Sequence, residues 1–207
     1  MTRRRTPLEA LAQVTRFRRE PVRQTTPVAD VCIIVEGAYP YIVGGVSGWL
    51  QDLMTHLPEV SFHIVAIKAG QAPLEWKLAP PSNVIAISEI ALTPERTAPS
   101  SINPRIVGRI LSNAARFIEA GEPSDFAQLL QSLEKIPSGT SAGDLLSHSA
   151  TFERIRDDYL KTYPQSSFHH YFWANQALLG GLLAICLAPL PRAKCYHTIS
   201  TGFAGLF

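Results

Sequence analysis

Three short apolar runs near the start of the chain constrain its fold most strongly. They cover residues 30–35 (DVCIIV), 61–67 (SFHIVAI) and 83–87 (NVIAI). Runs of this length that are rich in β-branched residues are typical of strands covered on both faces, as in a parallel sheet. The sequence therefore predicts three core strands in the first half of the chain.

A helix is predicted between the first two of these strands. It opens at Gly44 and Gly45, ends at Pro58 and carries apolar residues at helical spacing, namely Val46, Trp49, Leu50, Leu53, Met54 and Leu57. The order strand, helix, strand gives right-handed crossovers and a doubly wound parallel sheet. In such a sheet the ligand crevice lies at the carboxyl ends of the strands.

The pattern changes to helices from residue 104 onward. Helices are predicted over 104–120, 124–136, 151–162 and 168–187, and residues 193–199 (AKCYHTI) then return to strand character. We therefore predict an α/β fold, a Rossmann-like parallel sheet with a helical insertion at about 104–187 between its third and last strands.

Positive charge is concentrated in residues 1–29, which we predict to be a flexible leader before a single domain over 30–207. The chain has 19 Lys and Arg against 17 Asp and Glu, and seven arginines precede Asp30. Such an arm could contact anionic lipid or nucleic acid, but a solvated arm is the simpler interpretation, so no nucleic-acid partner is predicted. No apolar stretch follows the arginines, which excludes a secretory signal.

The cysteines and the longest apolar run indicate a cytoplasmic protein. Cys32, Cys186 and Cys195 each lie in an apolar run, where a reduced thiol packs as a small hydrophobic group. Residues 177–190 carry no charge, but they contain two glycines and a proline and are fewer than the roughly 20 residues that a bilayer requires. We interpret this run as a buried helix.

Gly44 and Gly45 carry the clearest chemical signal. Free N–H groups and the positive end of the dipole favour an anion at a helix start, and glycine lets a phosphate approach the backbone. A tight turn is the structural alternative. A dinucleotide fingerprint is excluded because eight residues separate Val35 from Gly44, and a P-loop is excluded because no lysine follows the glycines.

Two segments resemble the PelF-type family of GT-B glycosyltransferases of Pel exopolysaccharide synthesis. Residues 36–53 (EGAYPYIVGGVSGWLQDL) are similar to the family's pattern at the start of the transferase. Residues 196–205 (YHTISTGFAG) are similar to its strand-to-loop segment, in which a histidine faces the cleft between the two domains. The resemblance covers roughly residues 30–68 and 192–207, whereas the helical middle matches only in general character.

The resemblance implies the amino-terminal, acceptor-side domain of a retaining transferase. Its donor would be a UDP-sugar, UDP-glucose in that family, and its acceptor a growing exopolysaccharide. The UDP-sugar is a substrate, so no cofactor or metal is expected. A cytoplasmic location is implied, with a membrane-bound polysaccharide synthesis complex as a further partner. The family's carboxyl-terminal donor-binding domain has no counterpart in these 207 residues, so we expect them to be inactive alone.

The resemblance also implies roles for particular residues. It places Gly44 and Gly45 against the donor diphosphate and His197 near the transferred sugar. We expect the two glycines and the histidine to converge at the carboxyl ends of neighbouring strands. Glu36 ends the first predicted strand and either binds an acceptor hydroxyl or caps a backbone amide, and we name no catalytic base.

Two aromatic residues and a histidine pair have open interpretations. Tyr39 and Tyr41 either line the acceptor surface or pack within the protein. His169 and His170 have no third ligand at metal spacing, so we predict a structural role for them.

A stand-alone Rossmann-like module that binds a saccharide or a partner protein is the alternative function. The acceptor, the linkage and the oligomeric state are not predicted.

Overall fold

The structure is a computed structural model that describes residues 28–95, 102–199 and 202–206. Contacts divide these residues into two compact units. The sheet unit contains the described residues up to Pro94 and from Ala188 onward, and the helical unit contains those from Glu95 to Leu187. The helical unit corresponds to the predicted insertion. The predicted leader lies outside the described residues except for its last two positions.

The sheet unit contains four parallel strands in the order β3-β2-β1-β4. They are β1 (Ala29–Glu36), β2 (Phe62–Lys68), β3 (Val84–Ala91) and β4 (Ala193–Thr198). Helix α1 (Gly45–His56) connects β1 to β2. This arrangement confirms the predicted α/β, Rossmann-like parallel sheet.

Strand β3 extends four residues beyond its predicted end at Ile87. The prediction stopped where Ser88 and Glu89 interrupt the apolar run. Both polar side chains find partners on β2, because Ser88 Oγ lies 2.8 Å from His63 Nε2 and Glu89 forms an ion pair with Lys68. Pairing across the sheet therefore compensates for polar residues that the hydrophobic pattern alone excludes.

Strand β1 is one of the two inner strands of the sheet. Ile33 is fully buried and pairs with Ile64 of β2 on one side and with His197 of β4 on the other. Helix α1 packs its apolar side against this region, and the resulting core contains Ile33, Val35, Tyr39, Tyr41, Leu50, Met54, Phe62, Ile64 and Ala66. The apolar runs identified in the sequence thus form one continuous core.

The end of α1 is held by a single amide side chain. Asn83 Nδ2 lies 3.0 Å from the carbonyl oxygen of Met54, 2.9 Å from that of Leu57 and 3.0 Å from that of Val60. Carbonyls at a helix end have no partner within the helix. Asn83 therefore adds a side-chain donor to the backbone amides of Leu57 and Val60 at the end of α1, and it attaches this end to the start of β3.

The helical unit contains five α-helices among its described residues. They are α2 (Pro104–Ala120), α3 (Pro123–Leu133), α4 (Ala142–Leu146), α5 (Ser149–Thr162) and α6 (Phe168–Leu187). Four were predicted, and the short α4 was not. A reciprocal capping box stabilises α4, in which Ser141 Oγ accepts from the Asp144 amide and the Asp144 carboxylate accepts from the Ser141 amide.

Helix α6 contains the longest apolar run of the chain. Its second half buries residues that include Leu179, Leu182 and Leu183. No helix in the described ranges is sufficiently long and apolar to cross a membrane.

We expect Asn83→Ala to lower the free energy of unfolding by about 1–2 kcal/mol, because it removes the side-chain donor that three carbonyl oxygens near the end of α1 share. Denaturant titration of the chain measures this change. Asn175→Ala is a matched control, since Asn175 Nδ2 donates one hydrogen bond, to Tyr171 O in the same helix. Equal losses in the two variants would contradict the role assigned to Asn83.

Candidate functional site

The start of α1 lies at the carboxyl end of β1 and has no capping side chain. Gly44 occupies the N-cap position in an extended conformation, no side chain bonds to the cap, and the first turn has no acidic residue. The first N–H groups of a helix lack partners within it. Together with the helix dipole, they form a place where an anion is favoured.

The fold itself does not require glycine at these two positions. Gly44 has φ −175°, an extended value that any residue adopts. Beyond the adjacent residues and the backbone of α1 itself, a Cβ atom added at Gly44 or at Gly45 would meet no atom of the described residues within 4 Å. The space above both glycines is therefore open. Internal packing does not explain why these two residues are glycine, whereas close approach of a ligand to the backbone would explain it.

His197 reaches the same helix from the neighbouring strand. It pairs with Ile33 in the parallel register of β4 on β1, and its ring centroid lies 6.3 Å from that of Trp49 on α1. Trp49 is one turn beyond the glycine pair. The structure thus brings His197, which is exposed, beside the helix that Gly44 and Gly45 open.

An apolar groove lies below the Trp49 and His197 rings. Both rings contribute to its wall, and its other lining residues are Val31, Ile33, Leu53, Leu57, Val60 and Phe62. The exposed fraction of Trp49 is 48%. A half-exposed indole beside an imidazole provides a flat apolar surface with a hydrogen-bonding group at its edge.

Glu36 is the last residue of β1 and lies against the turn that follows β4. A Cβ atom added at Gly202 would lie 3.4 Å from Glu36 Oε2, and Gly202 has φ +82°, a value that favours glycine. Gly202 begins a short 3₁₀ helix, Gly202–Leu206. No described residue donates a hydrogen bond to the Glu36 carboxylate, so the predicted backbone cap is not seen among them.

Tyr39 and Tyr41 are buried in the core of the sheet unit. Tyr39 is fully buried, its hydroxyl donates to Gln51 Oε1 at 2.9 Å, and burial raises the pKa of Tyr39 to about 12. The exposed fraction of Tyr41 is 8%. This burial favours the packing alternative for both rings over an acceptor surface.

A polar cluster at the carboxyl ends of β2 and β3 was not identified from the sequence. Lys68 Nζ lies 2.5 Å from Glu89 Oε2, and the Tyr41 hydroxyl donates to Glu89 Oε1. Lys68 also donates to Ala72 O at 3.2 Å. The only signal in the sequence was the lysine at the end of the second strand, because the third strand was predicted to stop before Glu89.

This cluster fixes a loop and balances its own charges. The loop after β1 places Tyr41 beside β3, where the Tyr41 hydroxyl donates a hydrogen bond to the Glu89 carboxylate. The hydrogen bond from Lys68, which has the larger effect, and the hydrogen bond from Tyr41 hold the pKa of Glu89 below its ordinary value of 4.5. The pKa of Tyr41 is raised mainly by burial and to a smaller extent by the neighbouring Glu89 carboxylate. Since Lys68 already pairs with Glu89, it is not a free cation for a ligand.

His169 and His170 contact aromatic rings of the same helix. Trp173 Nε1 donates to His169 Nε2 at 3.1 Å, and the His169 ring packs beside that of His170. Within the described ranges, no three His, Cys, Asp or Glu side chains form a group that could hold a metal ion.

The lowered pKa of Glu89 predicts a pH dependence. Because its pKa is lower in the folded than in the unfolded state, the carboxylate stabilises the fold fully above about pH 4.5 and loses this effect as pH falls through the folded pKa. Urea titrations at pH 6 and pH 3.5 should show a larger loss of stability in the wild type than in Glu89→Gln. Glu153→Gln, an exposed change in α5, is the control and should behave as the wild type. Identical pH dependence in all three proteins would contradict this assignment.

Comparison with known proteins yields one family. No curated protein and no solved structure matches the chain. The family described as a domain of unknown function, DUF3492, matches residues 29–207, which begins at the first residue of β1. The chain therefore belongs to the DUF3492 family.

Proposed function

We propose that this chain forms the acceptor-side wall of a retaining GT-B glycosyltransferase that transfers a sugar from a UDP-sugar to a growing exopolysaccharide. The observation that carries the proposal is the arrangement at the carboxyl ends of β1 and β4. There β1 ends in a carboxylate without a described donor, the adjacent parallel strand β4 carries the exposed His197, and the uncapped start of α1 follows β1 along the chain. The association of the DUF3492 family with glycosyltransferase-like proteins supports it.

The start of α1 is the proposed contact for the donor diphosphate. The open space above Gly44 and Gly45 allows phosphate oxygens to approach the N–H groups of the first turn. These donors are fixed by the helix, so they stabilise the charge that develops on the departing diphosphate without rearranging.

His197 and Glu36 are the proposed contacts for the sugars. The His197 imidazole can donate a hydrogen bond to a sugar hydroxyl or to a phosphate oxygen. The Trp49 ring beside it can cover the apolar face of a sugar. Glu36, which faces the turn at Gly202, would accept a hydrogen bond from an acceptor hydroxyl. Neither residue is assigned as a catalytic base.

The finer features of the proposal follow from the resemblance to the PelF-type family. They are UDP-glucose as the donor, a Pel-like polysaccharide as the acceptor, a cytoplasmic location and contact with a membrane-bound synthesis complex. In that architecture a second domain supplies the uridine site and most of the diphosphate contacts. The chain described here would then bind the donor only weakly and would not transfer sugar by itself.

The test is a transferase assay on a protein that joins this chain to a donor-binding domain of the family. Gly45→Val places a branched side chain in the path of the diphosphate. It should raise the KM for UDP-glucose by about 3- to 30-fold, which corresponds to loss of a helix-terminus contact of up to about 2 kcal/mol.

Gly108→Val is the matched control for this test. Gly108 also lies within a helix and has open space at its Cβ position, but it belongs to the helical unit. The control should leave the KM for the donor unchanged. Equal KM values for the wild type and Gly45→Val, with transfer retained, would exclude the helix start as the diphosphate site.

A further inference from the structure

A polar cleft in the helical unit has a charge pattern that differs from its surroundings. It has a volume of about 290 Å³ and lies between α2 and α3. Its lining residues are Arg109, Asn113, Arg116, Gln128, Gln131, Ser132 and Lys135. Three of them are cations and none is an acid. The sequence over 102–187 contains seven Lys and Arg against eight Asp and Glu, so the cations in this cleft are segregated from an otherwise balanced unit.

The cations of the cleft have no ion-pair partner among the described residues. In the described part of the chain, no carboxylate forms an ion pair with Arg109, Arg116 or Lys135. All three side chains are exposed at the cleft. Three like charges that converge without a counterion repel one another. Binding of an anion would relieve that repulsion.

One of these cations is held in place by the two helices. Arg116 Nη2 donates to Asn113 Oδ1 at 2.5 Å and to Gln128 Oε1 at 2.9 Å. The buried Asn113 in turn donates from Nδ2 to Gln128 O at 3.0 Å. These bonds orient the guanidinium before any ligand arrives. No described residue accepts a hydrogen bond from its Nε or Nη1.

The remaining polar atoms of the cleft are predominantly donors. The side-chain oxygens of Asn113 and Gln128 already accept from Arg116. The Ser132 hydroxyl is used internally, because it donates to Leu129 O at 2.7 Å. The side chains of Arg109, Lys135 and Gln131 have no hydrogen-bond partner among the described residues, and of these only Gln131 also carries an acceptor oxygen. A lining of donors with several positive charges is complementary to an anion of more than one negative charge.

We propose that this cleft binds a phosphate group, either as a free phosphate or diphosphate or as the headgroup of a phospholipid. Planar guanidinium groups bind phosphate oxygens through paired N–H donors, and Lys135 would add a third positive charge. The volume accommodates a diphosphate. The site lies within the helical unit and does not depend on the transferase proposal for the sheet unit.

The test is a titration of the chain with pyrophosphate, at ionic strength held constant with sodium chloride, followed by NMR of the backbone amides. Saturable shifts are expected in α2 near Arg109 and at the end of α3 near Lys135. Arg109→Gln and Lys135→Gln should each weaken binding by about 3- to 10-fold, since each removes one charge-assisted contact. Both side chains are exposed and have no ion-pair partner among the described residues, so the melting temperature should not change.

Arg105→Gln is the matched control, because Arg105 is exposed on the same helix one turn earlier and does not line the cleft. It should change the affinity by less than about twofold. Equal weakening by Arg105→Gln would show general charge attraction and would overturn the site. Unchanged affinity in both cleft variants would also overturn it.

A second titration distinguishes the two sources of the phosphate. Vesicles of phosphatidylcholine with and without phosphatidic acid are sedimented with the wild type, the two cleft variants and Arg105→Gln. Sedimentation that requires phosphatidic acid and is lost in the cleft variants supports the headgroup, whereas saturable pyrophosphate binding without sedimentation supports the free ion. Absence of both would refute the proposal.

Discussion

The parallel pairing of β1 with both of its neighbours is the interaction on which the rest of the sheet unit depends. Ile33 is buried between Ile64 of β2 and His197 of β4, and this register decides which residues of β4 face α1. Because all four strands run in the same direction, their carboxyl ends meet at one edge. Glu36 ends β1 at that edge, His197 lies beside Ile33 three residues before it in the register, and the start of α1 follows β1 through a loop.

The polar groups at this edge fall into two classes with different consequences. Lys68, Glu89 and Tyr41 satisfy one another and hold the loop after β1 against β3. Glu36 has no described donor, and His197 is exposed beside Trp49. The first class stabilises the edge at a fixed geometry. The second class is open to a ligand, which is the division expected of a scaffold that supports a binding site.

The fold could be predicted from the sequence because its strands and most helices follow their hydrophobic period. The prediction ended β3 early and omitted α4 because both depend on polar contacts, Glu89 with Lys68 and Ser141 with Asp144. The candidate site was predicted where a local pattern marks it, at the glycine pair. Lys68 and Arg116 take their roles from contacts with residues of other segments, Glu89 and Gln128. A local sequence pattern does not reveal such contacts.

The most direct test of the central claim is to locate the residues of this chain that contact the donor. A single helix terminus contributes about 0.3–2 kcal/mol to holding an anion, whereas millimolar affinity requires about 4 kcal/mol. A titration of the 207-residue chain with UDP-glucose to roughly 10 mM, followed by NMR of its amides, should therefore give unsaturated shifts. The account predicts that they centre on residues 45–47 and on His197. Shifts confined to other parts of the sheet unit, or saturation at micromolar concentration, would contradict it.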